Sequence, residues 1–248
     1  MTDPSQLKDL WSNSAQYRAE CQTADDVRTT VELLELGSAS TLADVGCGNG
    51  AFSIAAARAY PQLKVLAYDA LESAIAEFES AARDVGSGRF EVGVARAEEL
   101  PIASGGVERV LCRAVLHHVV RPELLYGEMA RILKPGGQVL LQAPCNFWEA
   151  AWSGFISDLY MLMDDSHRRQ YHTPGQIIAG LSEAGLLMYR ADCWTYTMND
   201  VNEGQRALIE QQGAAGRRSG WGCGRRRMGG GGWICIGCGC WRGRCDFA

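Results

Sequence analysis

Residues 42–52, LADVGCGNGAF, constrain the fold of this 248-residue chain more than any other stretch. An apolar run ending in Asp44 is followed by glycines at positions 46, 48 and 50, and then by an alanine-rich segment. Glycine adopts left-handed backbone conformations and lets a ligand approach where a Cβ would collide. A strand, a glycine loop and a helix in this order are typical of a nucleotide-binding loop at the carboxyl edge of a parallel sheet. A tight turn without a ligand is the alternative.

Short apolar runs and amphipathic runs alternate along the chain. The predicted strands are residues 41–45, 64–69, 90–94, 109–115, 138–143 and 186–194. The predicted helices are residues 5–36, 51–60, 71–85, 122–134 and 173–185, with a turn at KPGG, residues 134–137. This alternation predicts an α/β fold: a Rossmann-like, doubly wound and mainly parallel sheet with helices on both faces.

The same pattern divides the chain into four segments. Residues 1–37 are expected to form an N-terminal helical lid, and residues 38–195 the core, with an insertion at about 144–172 that covers the substrate. Residues 196–212 end the regular chain. Residues 213–248 form a tail rich in glycine, arginine, cysteine and tryptophan.

Composition and charge limit the function classes. Hydrophobic residues make up 47% of the chain, enough for one substantial core. No apolar run is long enough for a transmembrane helix, and the first residues do not resemble a secretory signal, so we expect a cytoplasmic protein. Seven arginines against one aspartate give residues 213–248 a net charge of +6, which leaves −11 for residues 1–212 within the total of −5. An acidic body argues against a nucleic-acid partner.

Two carboxylates accompany the glycine loop. Asp44 precedes the first glycine, where it would repel a pyrophosphate and attract an ammonium group. Asp69 ends the next predicted strand, nineteen residues after Gly50, and from there a carboxylate can accept hydrogen bonds from both ribose hydroxyls. Capping the helix that follows is the alternative role of Asp69. Asp44 therefore favours a nucleoside cofactor that carries an ammonium group over a dinucleotide, whose ribose Asp69 would suit equally.

A family resemblance extends over about residues 38–195. The segments LADVGCGNG, AYDA, RAEELPI, VERVLCRAVLHHV and RILKPGGQVLL follow one another in this order. In their order and spacing the chain resembles the class I S-adenosylmethionine-dependent methyltransferases, in particular the small-molecule branch of the ubiquinone/menaquinone-biosynthesis type. The resemblance implies that the cofactor is S-adenosylmethionine and that the reaction is methylation of a small molecule.

The resemblance also implies a set of cofactor-binding residues around the methionine moiety, the ribose and the adenine. The set is Asp44, Gly46, Cys47, Gly48, Asn49, Gly50, Asp69, Ala70, Ala97, Glu98 and Arg113. The chain departs from the family at Arg96, where an aspartate commonly accepts a hydrogen bond from the adenine amino group. Because arginine cannot accept a hydrogen bond, Glu98 or the backbone of Ala97 would have to do so.

Methyl transfer from a sulfonium is an in-line displacement that depends mainly on the alignment of the reacting atoms. His117 and His118 follow the fourth predicted strand and are the candidate catalytic bases if the acceptor must lose a proton. Packing or capping is their alternative role. His167 and His172 are further candidates of the same kind. No acidic cluster indicates a metal in the active site.

The aromatic run at residues 147–163 is expected to cover the substrate together with a lid at residues 11–17, although ordinary core packing would produce the same pattern. An apolar cover favours an uncharged or aromatic small molecule as the methyl acceptor. A binding protein that keeps the methyltransferase fold without catalysis is the alternative function. The sequence does not indicate an oligomeric state.

The tail contains Cys235, Cys238, Cys240 and Cys245, which suggest a zinc site. Their spacing is a weak match to such a site, because structural zinc sites pair two separated couples of ligands. An Arg/Gly arm for nucleic acid is a second interpretation. A third is translation in a shifted frame, because the tail residues share G-rich codons. Back-translation of residues 231–243, advanced by one base, is compatible with a buried strand. On that hypothesis a final antiparallel strand is replaced by an aberrant tail.

Overall fold

The computed structural model describes residues 22–86, 88–143 and 172–191, and the backbone of two short strands at 196–198 and 234–236. The predicted lid at residues 11–17 and the aromatic run at 147–163 lie outside the described residues, as does most of the tail.

Twelve elements are numbered here in chain order. The helices are α1 (Ala24–Leu33), α2 (Ala51–Ala59), α3 (Glu72–Ala81), α4 (Pro122–Ile132) and α5 (Pro174–Glu183). The strands are β1 (Thr41–Val45), β2 (Lys64–Asp69), β3 (Phe90–Val94), β4 (Val107–Arg113), β5 (Leu133–Gln142), β6 (Tyr196–Met198) and β7 (Ile234–Ile236). Short 3₁₀ turns lie at Leu36–Ser38, Arg83–Val85 and Leu116–His118.

Five strands form one parallel sheet in the order β3-β2-β1-β4-β5. The order reverses direction beside β1, which places the loops after β1 and β4 next to each other at the carboxyl edge. Helices α1, α2 and α3 contribute to one apolar cluster, and helices α4 and α5 contribute to a second. Successive residues of a strand belong to different clusters: Leu42 lies in the first cluster and Ala43 in the second. The predicted doubly wound α/β fold is therefore confirmed.

Strand positions agree closely with the prediction in the first half of the sheet. Strands β1, β2 and β3 have the predicted bounds. Strand β1 is an apolar run that Gly46 follows, and β2 is an apolar run that ends at Asp69. The fourth strand begins earlier than predicted, at Val107, and ends earlier, at Arg113. Ala114 has a positive φ of 56°, which turns the chain out of the sheet.

The prediction that KPGG, residues 134–137, forms a turn before the fifth strand is wrong, because these residues lie inside β5. Val107 pairs with Leu133, whereas Arg109 pairs with Gln138, so β5 contains extra residues at this point. Gly136, with φ of 78°, accommodates the irregularity. A proline and two glycines therefore mark a bulge here, and the strand continues through them.

Helix ends depend on their caps. Thr23 and Thr173 each form a capping box at the start of α1 and α5, and Thr173 precedes Pro174 as predicted. The first helix ends at Leu33 and not at residue 36, because Glu35 adopts a left-handed conformation. Arg109 donates to the carbonyl oxygens of Leu34 and Glu35 and so satisfies the end of this helix.

The predicted strand at 186–194 is wrong over its described part, since residues 186–191 form no regular structure. Leu187 and Tyr189 are 87% and 67% exposed, and these residues have no strand partner in the described part of the chain. Instead, β6 pairs antiparallel with β7, with Thr197 opposite Cys235. The tail thus contributes a short antiparallel strand, and the shifted-frame hypothesis stays a prediction.

Candidate active site

The glycine loop between β1 and α2 takes the conformation that its sequence predicts. Gly46, Gly48 and Gly50 all have positive φ values, of 72°, 54° and 78°. A Cβ at Gly46 would overlap the side chain of Val115, and one at Gly50 would overlap the ring of Phe78. The loop therefore needs glycine at both positions, for backbone conformation and for space.

Asp69 supports the glycine loop and the turn before α3, but it does not cap α3, whose N-cap is Leu71 and which has no side-chain cap. Its Oδ2 accepts a hydrogen bond from the Gly48 N–H at 2.9 Å, and its Oδ1 accepts one from the Leu71 N–H at 3.0 Å. Burial raises the pKa of Asp69, and the backbone hydrogen bonds oppose that rise. Each carboxylate oxygen has a second lone pair, so Asp69 retains the capacity to accept bonds from a ligand. Contact with a ribose stays a prediction.

Asp44 is buried at the end of β1, with 3% of its surface exposed. The hydroxyl of Ser53, on α2, donates to its Oδ2 at 2.6 Å. Burial raises the pKa of Asp44 to about 7; Asp69 adds to the rise, whereas the Ser53 hydrogen bond and the charge of Arg113 oppose it. The site therefore holds a carboxylate whose negative charge is costly until a cation binds beside it.

Arg113 ends β4 and is also buried. Its Nε donates to Oε1 of Gln142, at the end of β5, at 2.9 Å, and its guanidinium lies 4.4 Å from the centre of the Phe52 ring. The hydroxyl of Thr30, on α1, donates to the same Gln142 oxygen at 3.2 Å. Prediction from sequence included Arg113 but missed Gln142, Phe52 and Thr30. The sequence contains a signal for two of these residues: Gln142 stands at a predicted strand end, and Phe52 comes just after the glycine loop.

Asn49 connects the loop to the start of the described chain. Its Nδ2 donates to Oε1 of Gln22 at 3.2 Å, and its Oδ1 accepts from the Ala51 N–H at 3.3 Å. The segment that leads into α1 therefore contacts the glycine loop. Of the predicted lid segment, residues 1–37, the first 21 residues lie outside the described part.

The predicted adenine border forms a tight turn after β3. The Glu99 N–H donates to the carbonyl of Arg96, and Arg96 forms an ion pair of 3.0 Å with Glu98. The Glu98 side chain is 13% exposed and that of Arg96 is 57% exposed. Through this ion pair, Arg96 holds the Glu98 carboxylate close to the position at which the family resemblance implies a hydrogen-bond acceptor for the adenine amino group. Ala97 lies between them in the same turn.

The next residues of this loop are held from helix α4. Glu128 accepts a hydrogen bond from the Leu100 N–H at 2.6 Å, and Arg131 donates to the carbonyls of Leu100 and Ile102. Arg131 and Glu128 also pair with each other at 2.7 Å. Because both side chains bind backbone groups, they determine where the adenine-border turn lies relative to the sheet.

The two candidate histidines lie in the 3₁₀ turn after β4. His117 is buried and His118 is exposed, and their ring centres are 4.0 Å apart. The loop that contains them starts with Val115, the residue that contacts Gly46. The fold therefore brings the histidines to the same edge as the glycine loop. His172 precedes α5, and His167 lies outside the described residues.

Cys47 and Cys112 are buried free thiols. Burial is the main cause that raises the pKa of each thiol, so neither forms a thiolate readily. Within the described ranges, no group of three or more histidine, cysteine or acidic side chains is arranged to hold a metal ion. Cys47 therefore contributes to the glycine loop through its backbone and not through its thiol.

Residues 43–141 match the family model described as a methyltransferase domain. The chain contains a methyltransferase domain. The match begins in β1 and ends in β5, so it covers the glycine loop, both carboxylates and the two histidines. The predicted membership of the S-adenosylmethionine-dependent methyltransferases is confirmed at the level of this domain.

Curated relatives of the domain are methyltransferases. The malonyl-[acyl-carrier protein] O-methyltransferase of Hahella chejuensis is 29% identical over 50% of this chain and 45% of its own length. The ubiquinone biosynthesis O-methyltransferase of Xanthomonas euvesicatoria is 28% identical over 62% of this chain and 64% of its own length. The chain thus spans about half to two thirds of the curated relatives that it matches.

Among solved structures, a candidate methyltransferase from Bacillus halodurans superposes with a TM-score of 0.67 at 25% identity. The alignment covers 75% of this chain and 83% of that one. Geranyl diphosphate methyltransferase in complex with S-adenosylmethionine shares the fold, with a TM-score of 0.54 at 16% identity. In the described part of this chain, no helix is both long enough and apolar enough to cross a membrane.

Proposed function

We propose that the chain transfers a methyl group from S-adenosylmethionine to a small, apolar or aromatic molecule. The observation that carries this proposal is the pair of carboxylates, the buried Asp44 and the half-buried Asp69, that flank a glycine loop inside a methyltransferase domain. A loop with two acids at the same edge of the sheet suits a nucleoside that carries a positive charge.

Each part of the cofactor finds a chemically suitable group. Asp44 would accept hydrogen bonds from the ammonium group of the methionine moiety, because a buried carboxylate is stabilised by an adjacent cation. Asp69 and the Ala70 backbone would contact the ribose, and Ala97 and Glu98 would contact the adenine. The glycine loop would let the cofactor lie close to its backbone, while Gly46 and Gly50 leave the space that the side chains of Val115 and Phe78 fill.

When bound, S-adenosylmethionine supplies an electrophilic methyl group on its sulfonium. The protein has to hold the acceptor in line with that carbon and keep water away, an effect that contributes up to roughly 7–11 kcal/mol. His118 is exposed in the turn after β4, at the same edge of the sheet as the glycine loop, and from there would accept a proton from a hydroxyl acceptor. The buried ring of His117, packed against it, would fix the orientation of His118.

A small-molecule acceptor is supported by the relatives, whose names include ubiquinone-biosynthesis O-methyltransferases. The net charge of −11 outside the tail makes nucleic acid an unsuitable partner. We propose the cytoplasm as the location, since the five cysteines outside the tail are scattered without paired spacing.

The test has two stages. Calorimetry with S-adenosylmethionine measures binding, and release of S-adenosylhomocysteine over a panel of phenols and quinones measures turnover. We expect binding to be lost in Asp69→Asn and retained in Glu108→Gln, a carboxylate at the opposite end of the sheet. Absence of binding in the wild-type chain would exclude the enzyme.

A binding protein without catalysis is the second candidate, and one observation favours it: Arg96 occupies the position of the usual adenine-binding acid and engages Glu98. Tight cofactor binding without turnover of any acceptor in the panel would support this candidate over the enzyme.

A further inference from the structure

Gln142 is the last residue of β5, at the carboxyl edge of the sheet. It is the register partner of Arg113, the last residue of β4, so the two side chains lie on the same face of the sheet. Leu140, two residues earlier on β5, packs against the apolar cluster to which α1 and α2 contribute. Gln142 therefore lies on the α1 and α2 face, at the same edge as the glycine loop and the candidate histidines.

Two donors determine how the Gln142 amide is oriented. The Nε of Arg113 donates to its Oε1 at 2.9 Å, and the hydroxyl of Thr30 donates to the same oxygen at 3.2 Å. A guanidinium nitrogen donates and cannot accept, so the amide atom beside it has to be the oxygen. Both lone pairs of Oε1 are thereby used, and Nε2 lies on the other side of the planar amide group.

The Nε2 atom of Gln142 carries two N–H donors. Among the described residues, no group accepts a hydrogen bond from it. Gln142 is half-buried, and a donor that has lost part of its hydration gains from an oxygen of a bound ligand. A polar group whose orientation is fixed by the fold is suited to select a ligand in a mostly apolar site.

The expected cofactor contacts lie mainly on one side of the sheet. The glycine loop follows β1, Asp69 ends β2 and the adenine-border turn follows β3, whereas β4 and β5 lie on the other side of β1. The candidate histidines, His117 and His118, follow β4. A methyl acceptor that meets the cofactor at this edge therefore approaches over the ends of β4 and β5, where Gln142 is.

We propose that Nε2 of Gln142 donates a hydrogen bond to an oxygen of the methyl acceptor other than the one that is methylated. The acceptor class is then a phenol that carries a second oxygen with a lone pair, such as a methoxy or carbonyl oxygen. His118 serves the reacting hydroxyl, and Gln142 determines which acceptors bind. This inference rests on the proposed function, since it narrows the substrate class of the same site.

Two other roles of Gln142 make different predictions. If Gln142 only links β5 to Arg113 and Thr30, oxygen-bearing phenols and hydrocarbon phenols bind alike. If its amide binds the cofactor, its substitution changes the affinity for the cofactor and not the choice between phenols. Contact with the acceptor predicts a choice between phenols that depends on the amide nitrogen.

The experiment compares methoxyphenols with ethylphenols of the same ring position, in which a methylene replaces the ether oxygen and the shape is kept. The ortho, meta and para isomers provide the pairs. Calorimetry on the full chain saturated with S-adenosylhomocysteine gives both dissociation constants of each pair. We expect the wild type to bind the methoxyphenol about 3- to 10-fold more tightly in at least one pair, the range for one net hydrogen bond.

Gln142→Glu removes the donor and keeps the rest of the arrangement. Its carboxylate still accepts from Arg113 and Thr30, but an oxygen stands in the place of Nε2. The preference for the methoxyphenol should therefore disappear or reverse, because two oxygen lone pairs face each other. Gln142→Met, which keeps the length of the side chain without an amide donor, should also lose the preference.

Gln138→Glu is the matched control. Gln138 lies on the same strand and the same face as Gln142, and the substitution changes the charge equally, but about 13 Å away toward the other end of the sheet. This variant should keep the wild-type preference.

A preference that survives in Gln142→Glu would overturn the inference, and so would its loss in Gln138→Glu. A wild type that binds both members of every pair equally, or that binds none of these phenols, would overturn it as well. In those cases the release of S-adenosylhomocysteine over the wider acceptor panel still decides the proposed function. If the wild type does not bind S-adenosylhomocysteine, both fail together.

Discussion

The buried carboxyl of Asp44 predicts that folding stability and cofactor affinity depend on pH in opposite directions. The perturbation is Asp44→Asn, which keeps the shape and the possible contact with Ser53 but removes the titration. Because the pKa of Asp44 is raised to about 7 in the folded chain, the folded state holds this proton more tightly than the unfolded state does. The contribution of Asp44 is therefore most favourable at low pH and is lost as the pH rises toward and through 7.

The magnitude follows from the difference between the ordinary carboxyl pKa of 3.8 and the folded value of about 7. About three pKa units correspond to at most about 4 kcal/mol of free energy of unfolding, lost between about pH 4 and pH 7. Asp44→Asn should match the wild type near pH 4 and exceed its stability by up to this amount above pH 7.

Cofactor affinity should change in the other direction. The ammonium of the cofactor stays protonated below pH 7, so binding requires the ionised form of Asp44. The wild-type association constant should rise about tenfold per pH unit between pH 5 and 6.5 and level off above 7. In Asp44→Asn this steep component should be absent and the affinity lower at pH 8.

Urea unfolding and calorimetry from pH 4.5 to 8.5 measure both quantities. The control is Asp25→Asn, an exposed surface acid whose loss should change stability by less than about 0.5 kcal/mol at every pH. The reasoning is refuted if the difference in unfolding free energy between wild type and Asp44→Asn is constant over this range, or if cofactor affinity falls as the pH rises toward 7.

Three further predictions concern the loop, the histidines and the tail. Gly50→Ala should lower the free energy of urea unfolding by at least about 2 kcal/mol more than Gly105→Ala does. Both glycines have positive φ, but of the two only Gly50 is placed so that a Cβ would overlap a side chain, that of Phe78. Equal losses of stability in the two variants would contradict this reasoning. His118→Gln should lower kcat about 10²-fold without weakening S-adenosylhomocysteine binding, and its effect should exceed that of His172→Gln. Sequencing the gene across codons 205–248 should reveal a frame change; an intact frame with no strand-encoding alternative would exclude it.

Prediction from sequence succeeded where neighbours along the chain decide the structure. The bounds of β1, β2 and β3 and the left-handed glycines follow from apolar runs and backbone sterics within a few residues. Prediction from sequence failed where a partner that is distant along the chain determines the local structure. The segment at residues 186–191 has an apolar sequence but no neighbouring strand in the described part, and KPGG continues a strand because β4 pairs on both sides of it.

The site divides in the same way. The sequence by itself determined the α/β fold, the glycine loop and the two acids beside it, because hydrophobic periodicity and glycine conformations are local properties. The tertiary structure alone decided that Phe52 contacts the cation of Arg113 while Ser53 contacts the carboxyl of Asp44. It also decided that Gln142 binds both Arg113 and Thr30, the latter 112 residues away from Gln142. Those contacts depend on strand register and on which faces the helices cover, and the raised pKa of Asp44 depends on the burial that they produce.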